Sequence, residues 1–341
     1  MSNFIVIIFF FLLGLELINP QLKKKESLFF YVTIVLILIL AAGFRDGRLY
    51  RDYENYVNSY YYSNSTVEYS FSIIASIAKC IQADNYIILF VIYAILGVGI
   101  KAIGICKITP FIFASLAMYI AYYYSLHELT QIRAGVASAL GIFSIPAIYK
   151  KKPVRFLIII SLAIFFHVSA AVYLPMYFFN GDSFNKKKWT IFWGISILGV
   201  SFISPIIQNL SILYSVYFFR GDRLNLFASR GDTYDLFSTM LILNYIFGCV
   251  YIYLSDRIYK YNRYFFIIVK IYLTAIIFKI TFSQTIPELS SRGGDLFEIV
   301  LIIMIPMLMY IIRPRIGGIM AVGLIGGAYM YYILNIWNII S

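Results

Sequence analysis

Apolar runs of about the length of a membrane-spanning helix alternate with short charged or aromatic stretches along the whole chain. A helix that crosses a bilayer needs about 20 mostly apolar residues, with a range of about 17–25. By that measure spans are expected near 3–19, 28–43, 86–105, 110–126, 132–149, 190–206, 237–254, 265–282, 296–312 and 316–334. The stretch 154–184 is long for one span and short for two. The stretch "YSFSIIASIAKCI", within 69–82, is short and moderately amphipathic. It reads as a helix lying in the interface.

Composition agrees with a bilayer as the solvent. Of 341 residues 61% are hydrophobic and only 13% charged, and the mean hydropathy is +0.82. Soluble domains carry roughly 25% charged residues. The net charge of +12 would suit nucleic acid in a soluble protein. Here basic cytoplasmic loops account for it, and no nucleic-acid partner is expected. Cys80, Cys106 and Cys249 lie far apart in apolar sequence and read as packing residues. The start "MSNFIVIIFFFLLGLELINP" has neither a basic leader nor a small-residue cleavage site, so it reads as a retained first helix.

Lysine and arginine set the orientation. "KKK" at 23–25 and "KKKPVR" at 150–155 are expected inside. If 154–184 is a hairpin, "NKKKW" at 185–189, "SDRIYKYNR" at 255–263 and "RPR" at 313–315 are inside as well. That choice puts eight basic residues of these clusters inside, against four outside (Arg220, Arg223, Arg230 and Arg292). The expected fold is therefore an all-α polytopic integral membrane protein of about 12 transmembrane helices. It forms one transmembrane domain over 1–341, with an interfacial helix and external loops at 44–68, 127–131, 207–236 and 283–295.

The two faces differ in chemistry. All eight cations of the outer segments are arginine: Arg45, Arg48, Arg51, Arg133, Arg220, Arg223, Arg230 and Arg292. The inner clusters are mostly lysine. Lysine meets an orientation rule as a point charge, whereas arginine grips phosphate or carboxylate with a planar fork. Tyr50, Tyr53, Tyr56 and Tyr60 to Tyr62 stand beside these arginines, and both His127 and His167 lie on or just beneath this face. Such rings stack on sugars, although tyrosine also anchors membrane surfaces. The combination points to an anionic, partly apolar ligand such as a sugar carried on a lipid pyrophosphate.

The segments "FRDGRLYRDYENY", "LTQIRAGVASAL", "LAIFFHVSAAVYLP" and "SSRGGDLFEIVLIIMIP" occur in that order. In this the chain resembles the EpsG/Wzy-like polysaccharide polymerases over about residues 28–312. The resemblance implies a GT-C-like membrane glycosyltransferase in the bacterial inner membrane, with its site facing the periplasm. Its substrates would be undecaprenyl-pyrophosphate-linked oligosaccharides, joined into O-antigen, capsule or exopolysaccharide. Chain-length regulator and flippase proteins are the implied partners. The matched positions are Arg45, Asp52, Tyr53, Tyr56, Gln131, Arg133, His167, Ser169 and Arg292. Tyr50 and Arg51 stand where the family has small residues, so Asp46 is the alternative to Asp52, and Arg51 an added contact.

The reaction needs a stabilised pyrophosphate leaving group and a base for the acceptor hydroxyl. Arginines meet the first need electrostatically, so neither metal nor cofactor is expected. His167 is the first candidate for the base. A histidine in the apolar run "AIFFHVSAA" can instead be a packing residue, but ionisable groups at membrane depth usually face a cavity. Glu128, Asp46 and Asp52 are further candidate bases. Arg133 opens a helix whose positive dipole end favours anions, or else pairs with Glu128 or Glu288. Arg220 and Arg230, each in an Arg-Gly-Asp triplet, either bind substrate or pair with their neighbouring aspartates. A lipid-linked oligosaccharide flippase and a membrane O-acyltransferase are the other classes open. The first is marked by repeated halves and the second by a cytoplasmic donor.

Overall fold

Backbone N–H and C=O groups in lipid have no water to bond, so a spanning chain satisfies them within helices. The computed structural model describes residues 2–47, 50, 52–62, 68–196, 239–283 and 287–336, and the regular elements there are helical. The first half holds α1 (Ser2–Ile18), α2 (Lys24–Gly43), α3 (Tyr53–Tyr62), α4 (Tyr69–Ile81) and α5 (Ile87–Ile108). There follow α6 (Ile112–Met118), which runs on as a π-helix over Tyr119–Glu128, then α7 (Ile132–Tyr149) and α8 (Pro153–Phe166). After a 3-10 helix (Val168–Phe178) and a helical stretch at 186–196 come α9 (Thr239–Tyr259) and α10 (Phe265–Phe282). The chain continues through α11 (Pro287–Glu298), α12 (Leu301–Met304), a 3-10 turn (Ile305–Tyr310) and α13 (Arg315–Tyr331).

Eight helices among the described residues are long and apolar enough to cross a membrane. The expected count was higher for three reasons. Residues 112–128 are helical throughout but divide into a short α-helix and a wider π-helix. Most of 190–206 lies outside the described residues. The third difference is the stretch 154–184, which does turn back on itself, but with short limbs. Fourteen residues give α8 a rise of about 21 Å. Eleven residues of 3-10 helix give about 22 Å, short of a hydrocarbon core of about 30 Å. His167, with extended backbone (φ −154°, ψ 114°), breaks the helix between the limbs. The loop expected at 283–295 is corrected as well. It is helical from Pro287, because proline fits the first turn of a helix.

The core sits on α7, α10 and the segment 290–310, buried to 78%, 72% and 94%, while the first two helices are 33% buried. Their outer faces carry Phe10, Phe11, Phe29, Leu36 and Leu40, as apolar helices facing lipid should. The small residues Ala134, Gly135, Ala137 and Ser138 let α7 pack tightly against α5. Tyrosine hydroxyls tie helices together by donating to backbone carbonyls. Tyr124 reaches Leu38 at 2.8 Å, Tyr251 reaches Met304 at 2.9 Å, and Tyr173 reaches Leu296 at 2.5 Å.

The two ends of the bundle are distinct. At one end Lys151 donates to Phe179 O (2.9 Å), Lys270 to Asn180 O and Ser183 O, and Asn262 to Ile108 O (2.8 Å). Arg315 pairs there with the buried Glu16 at 2.5 Å. The hairpin therefore re-emerges beside the 150–152 lysines. At the other end lie 44–47, Tyr50, 52–62, the turn at 82–85, the start of α7 and His167. This arrangement predicts that, without the three native cysteines, single cysteines at Asn185 and Arg313 react with an impermeant reagent from one side of a sealed vesicle. A cysteine at Asp84 should react only from the other. Labelling of Asn185 and Asp84 from the same side would refute it.

Candidate functional site

The second end of the bundle gathers most of the described residues singled out in the sequence. Arg45 follows α2 and is buried. Its guanidinium lies 4.2 Å from the Phe90 ring centroid, 5.4 Å from Tyr53 and 5.9 Å from Tyr50. Nη1 donates to Ala42 O at 2.7 Å, and Nε and Nη2 meet no acceptor among the described residues. Burial pulls this guanidinium below its ordinary range, while the surrounding phenols pull it back. Burial likewise pushes Tyr50 up to about 12, against the pull of Arg45, and raises Tyr53.

The stretch Tyr53–Tyr62 is a helix rather than an open loop, because its tyrosines find partners. Tyr53 stacks on Phe90 at 4.6 Å and Tyr56 on Phe71 at 5.9 Å. The hydroxyl of Tyr60 donates to Ala83 O at 3.2 Å. Tyr56 is buried and raised by that burial, with Arg133 and Arg45 opposing the shift and Asp52 adding to it. This one phenol therefore faces both arginines. Asp52 is half-buried just before α3, and Asp46 is exposed.

Arg133 lies in the first turn of α7, with its Cζ 5.7 Å from the Tyr56 ring centroid. Of the two acids expected to pair with it, Glu128 meets Lys101 instead, and the side chain of Glu288 lies outside the described ones. The partner of Arg133 is Glu68, the residue before α4, which forms an ion pair with Nη1. The other oxygen of Glu68 stands 3.4 Å from Nδ1 of His167. Arg133 and His167, 34 residues apart in sequence, thus meet through one carboxylate. Ser169 is buried two residues beyond His167, and Gln131 caps α7, its carbonyl accepting from Gly135 N–H at 2.9 Å. Arg292 is half-buried on α11, which packs against α7 and the 3-10 limb of the hairpin. Arg48, Arg51, Arg220, Arg223 and Arg230 lie outside the described residues.

Glu128 stands apart from this cluster. It is buried, and its Oε1 accepts from Lys101 Nζ at 2.6 Å, while the same ammonium donates to Gly135 O at 2.6 Å. Gly97 and Gly135 make room for the carboxylate, since a Cβ on Gly97 would collide with it. His127 beside it lies 3.2 Å from the hydroxyl of Ser138. The segment 127–131 is thus largely packed inside the bundle.

Two charged features escaped the sequence reading. Glu68 carried no signal beyond being an acid just ahead of an amphipathic run. The other is a buried network deep between helices, in which Lys279 pairs with Asp295 (2.7 Å) and Glu298, and Asn244 joins Glu298 to Tyr329. Lysine and acids within apolar runs were its signal. Among the described residues no group of three or more His, Cys, Asp or Glu converges as metal ligands would.

These features define a multi-pass membrane protein, helical throughout its described elements, with arginines and tyrosines gathered at one end. The chain belongs to the EpsG family, which it matches over residues 28–341. It is 24% identical over 320 residues to the amylovoran biosynthesis protein AmsC of Erwinia amylovora, covering 85% of this chain and 82% of that one. No solved structure matches. The membership and the apolar helices make this a membrane protein of polysaccharide biosynthesis, and they support a polymerase role.

The Lys101–Glu128 pair yields a prediction. Breaking a buried pair typically costs about 3–5 kcal/mol, because a charge is left uncompensated. Lys101→Met alone should lower the thermal midpoint in detergent sharply, and Lys101→Met with Glu128→Gln should recover most of it. Activity in the double variant identifies Glu128 as a packing partner of Lys101. A folded but inactive double variant returns it to the candidates for the base.

Proposed function

We propose that the protein is a membrane glycosyltransferase that joins undecaprenyl-pyrophosphate-linked oligosaccharide repeat units into O-antigen or a related surface polysaccharide. The observation that carries this reading is Arg45. It is a buried guanidinium, walled by rings, with two donor nitrogens that meet no acceptor among the described residues. A buried cation without a counter-anion is costly. A pyrophosphate would supply that anion, and the rings around it suit an attached sugar. Arg133, which shares Tyr56 with Arg45, gives the anion a second fork beside His167. The family and the amylovoran biosynthesis protein support the same direction.

In this reading the acceptor hydroxyl attacks the anomeric carbon of the donor. The new C–O bond forms as the bond from that carbon to the pyrophosphate oxygen breaks. The lipid pyrophosphate leaves as an anion held by Arg45, Arg133 and Arg292, and the acceptor's proton passes to His167. Guanidinium groups stabilise the departing charge, so the reading is independent of metal and cofactor. The lysine-rich end faces the cytoplasm by the positive-inside bias. The site then opens on the periplasmic side of the bacterial inner membrane. A GT-C-like arrangement of about 12 spans belongs to the same reading, as do chain-length regulator and flippase proteins as partners.

Two outcomes test it. Cells lacking the protein should accumulate single lipid-linked repeat units on the outer leaflet. Units stranded on the cytoplasmic leaflet would mark a flippase instead. Arg133→Lys and Arg292→Lys should each insert normally yet reduce polymer formation on the order of 10²-fold, because lysine keeps the charge and loses the paired fork. Full-length polymer from both variants would show that these are structural charges.

A further inference from the structure

Glu68 occupies the N-cap position of α4, yet its side chain makes no capping bond there. An acid in that place ordinarily accepts from the free N–H groups of the first turn. Here the carboxylate reaches the bundle instead, with one oxygen on Arg133 and the other 3.4 Å from Nδ1 of His167, a charge contact rather than a hydrogen bond. Its side chain is only 10% exposed, and those of Arg133 and His167 are 20% and 11% exposed. The imidazole is carried at the break between two helical limbs, so the hairpin tip fixes where the ring is.

We infer that Glu68 is a positioning residue for the transfer reaction, holding His167 through Nδ1 so that Nε2 is presented to the acceptor hydroxyl. The inference rests on the polymerase reading of this site. A carboxylate beside Nδ1 keeps the proton on that nitrogen, leaves Nε2 as the acceptor and stabilises the imidazolium that forms. The acceptor's proton moves to Nε2 as its oxygen bonds the anomeric carbon, and Glu68 stays ionised throughout. Sharing the carboxylate couples the two halves of the reaction. In the empty site Arg133 neutralises Glu68; a pyrophosphate competes for Arg133 and leaves the carboxylate's charge to the imidazole. Among the described residues, Arg133 from α7 reaches the ring's surroundings through the shared Glu68, and His127 from the π-helix acts on it electrostatically. Beyond Arg133 lie Tyr56, Asp52 and Arg45, and Lys101 acts on His127.

The test is the pH dependence of purified protein in vesicles supplied with a lipid-linked repeat unit, with rates expressed per folded molecule. Glu68→Gln keeps the shape and removes the charge. It should lower kcat at neutral pH at least about tenfold, with a smaller change in donor KM. It should also move the acid limb of kcat to lower pH, because an imidazole without its anionic neighbour gives up a proton more readily. Glu68→Asp, which keeps the charge, should restore the limb towards its original position. Adding Glu68→Gln to His167→Ala should cost little beyond His167→Ala alone, as for groups acting as one unit. An unshifted acid limb with normal kcat in Glu68→Gln would overturn the inference, as would fully additive losses in the double variant. Wild-type protein that forms no polymer would overturn the polymerase reading and this inference with it.

Discussion

A charge in a bilayer has no water to turn to, and that constraint organises this bundle. Apart from Arg45, the deeply buried ions among the described residues are met by partners from other segments. Lys101 meets Glu128, Lys279 meets Asp295 and Glu298, and Glu16 meets Arg315. These pairs fix which helices are neighbours and at what height. Lys101 and Glu128 lock α5 to the helix that precedes α7, and the second oxygen of Glu128 lies against Gly97. Lys279 joins α10 to α11, and Asn244 brings in α9 and α13. Replacing such pairs by apolar residues can be neutral, but halving one is costly, so their main effect is on register.

Against that background Arg45 is the exception. It is as buried as the paired ions, yet rings and one carbonyl surround it instead of a carboxylate among the described residues. Arg133 is the intermediate case, half-buried and held by a carboxylate that it shares with His167. One arginine with no carboxylate beside it among the described residues and one whose carboxylate is shared are the pair that the proposed reading assigns to an incoming anion. The lysines at the opposite end donate to backbone carbonyls or pair at the surface, which ties the chain down.

The apolar runs made the spanning helices legible, because segment length against membrane thickness is a one-dimensional property. Seven of the eight long helices fall close to the stretches read from hydropathy alone, and the eighth, Ser290–Tyr310, begins earlier than expected. The amphipathic pattern of Tyr69–Ile81 was legible for the same reason. The limbs around His167 were not, since whether 154–184 spans depends on the contacts that hold a short hairpin. The helix at Tyr53–Tyr62 and the packing of 127–131 were hidden too. Polar and aromatic residues read as loop until partners such as Phe90, Phe71 and Lys101 are beside them.

The sequence by itself determined that the chain lives in a membrane, that its cations divide into arginine and lysine clusters, and which family it resembles. These follow from composition, spacing and local pattern. It did not determine which acid meets which base. The sequence offered Glu128 and Glu288 as candidates for Arg133, yet Arg133 pairs with Glu68, 65 residues upstream. Only tertiary structure decides that, because a salt bridge needs two groups within about 4 Å. In a helical bundle that distance is set by which helices pack side by side, and not by how far apart the residues lie along the chain.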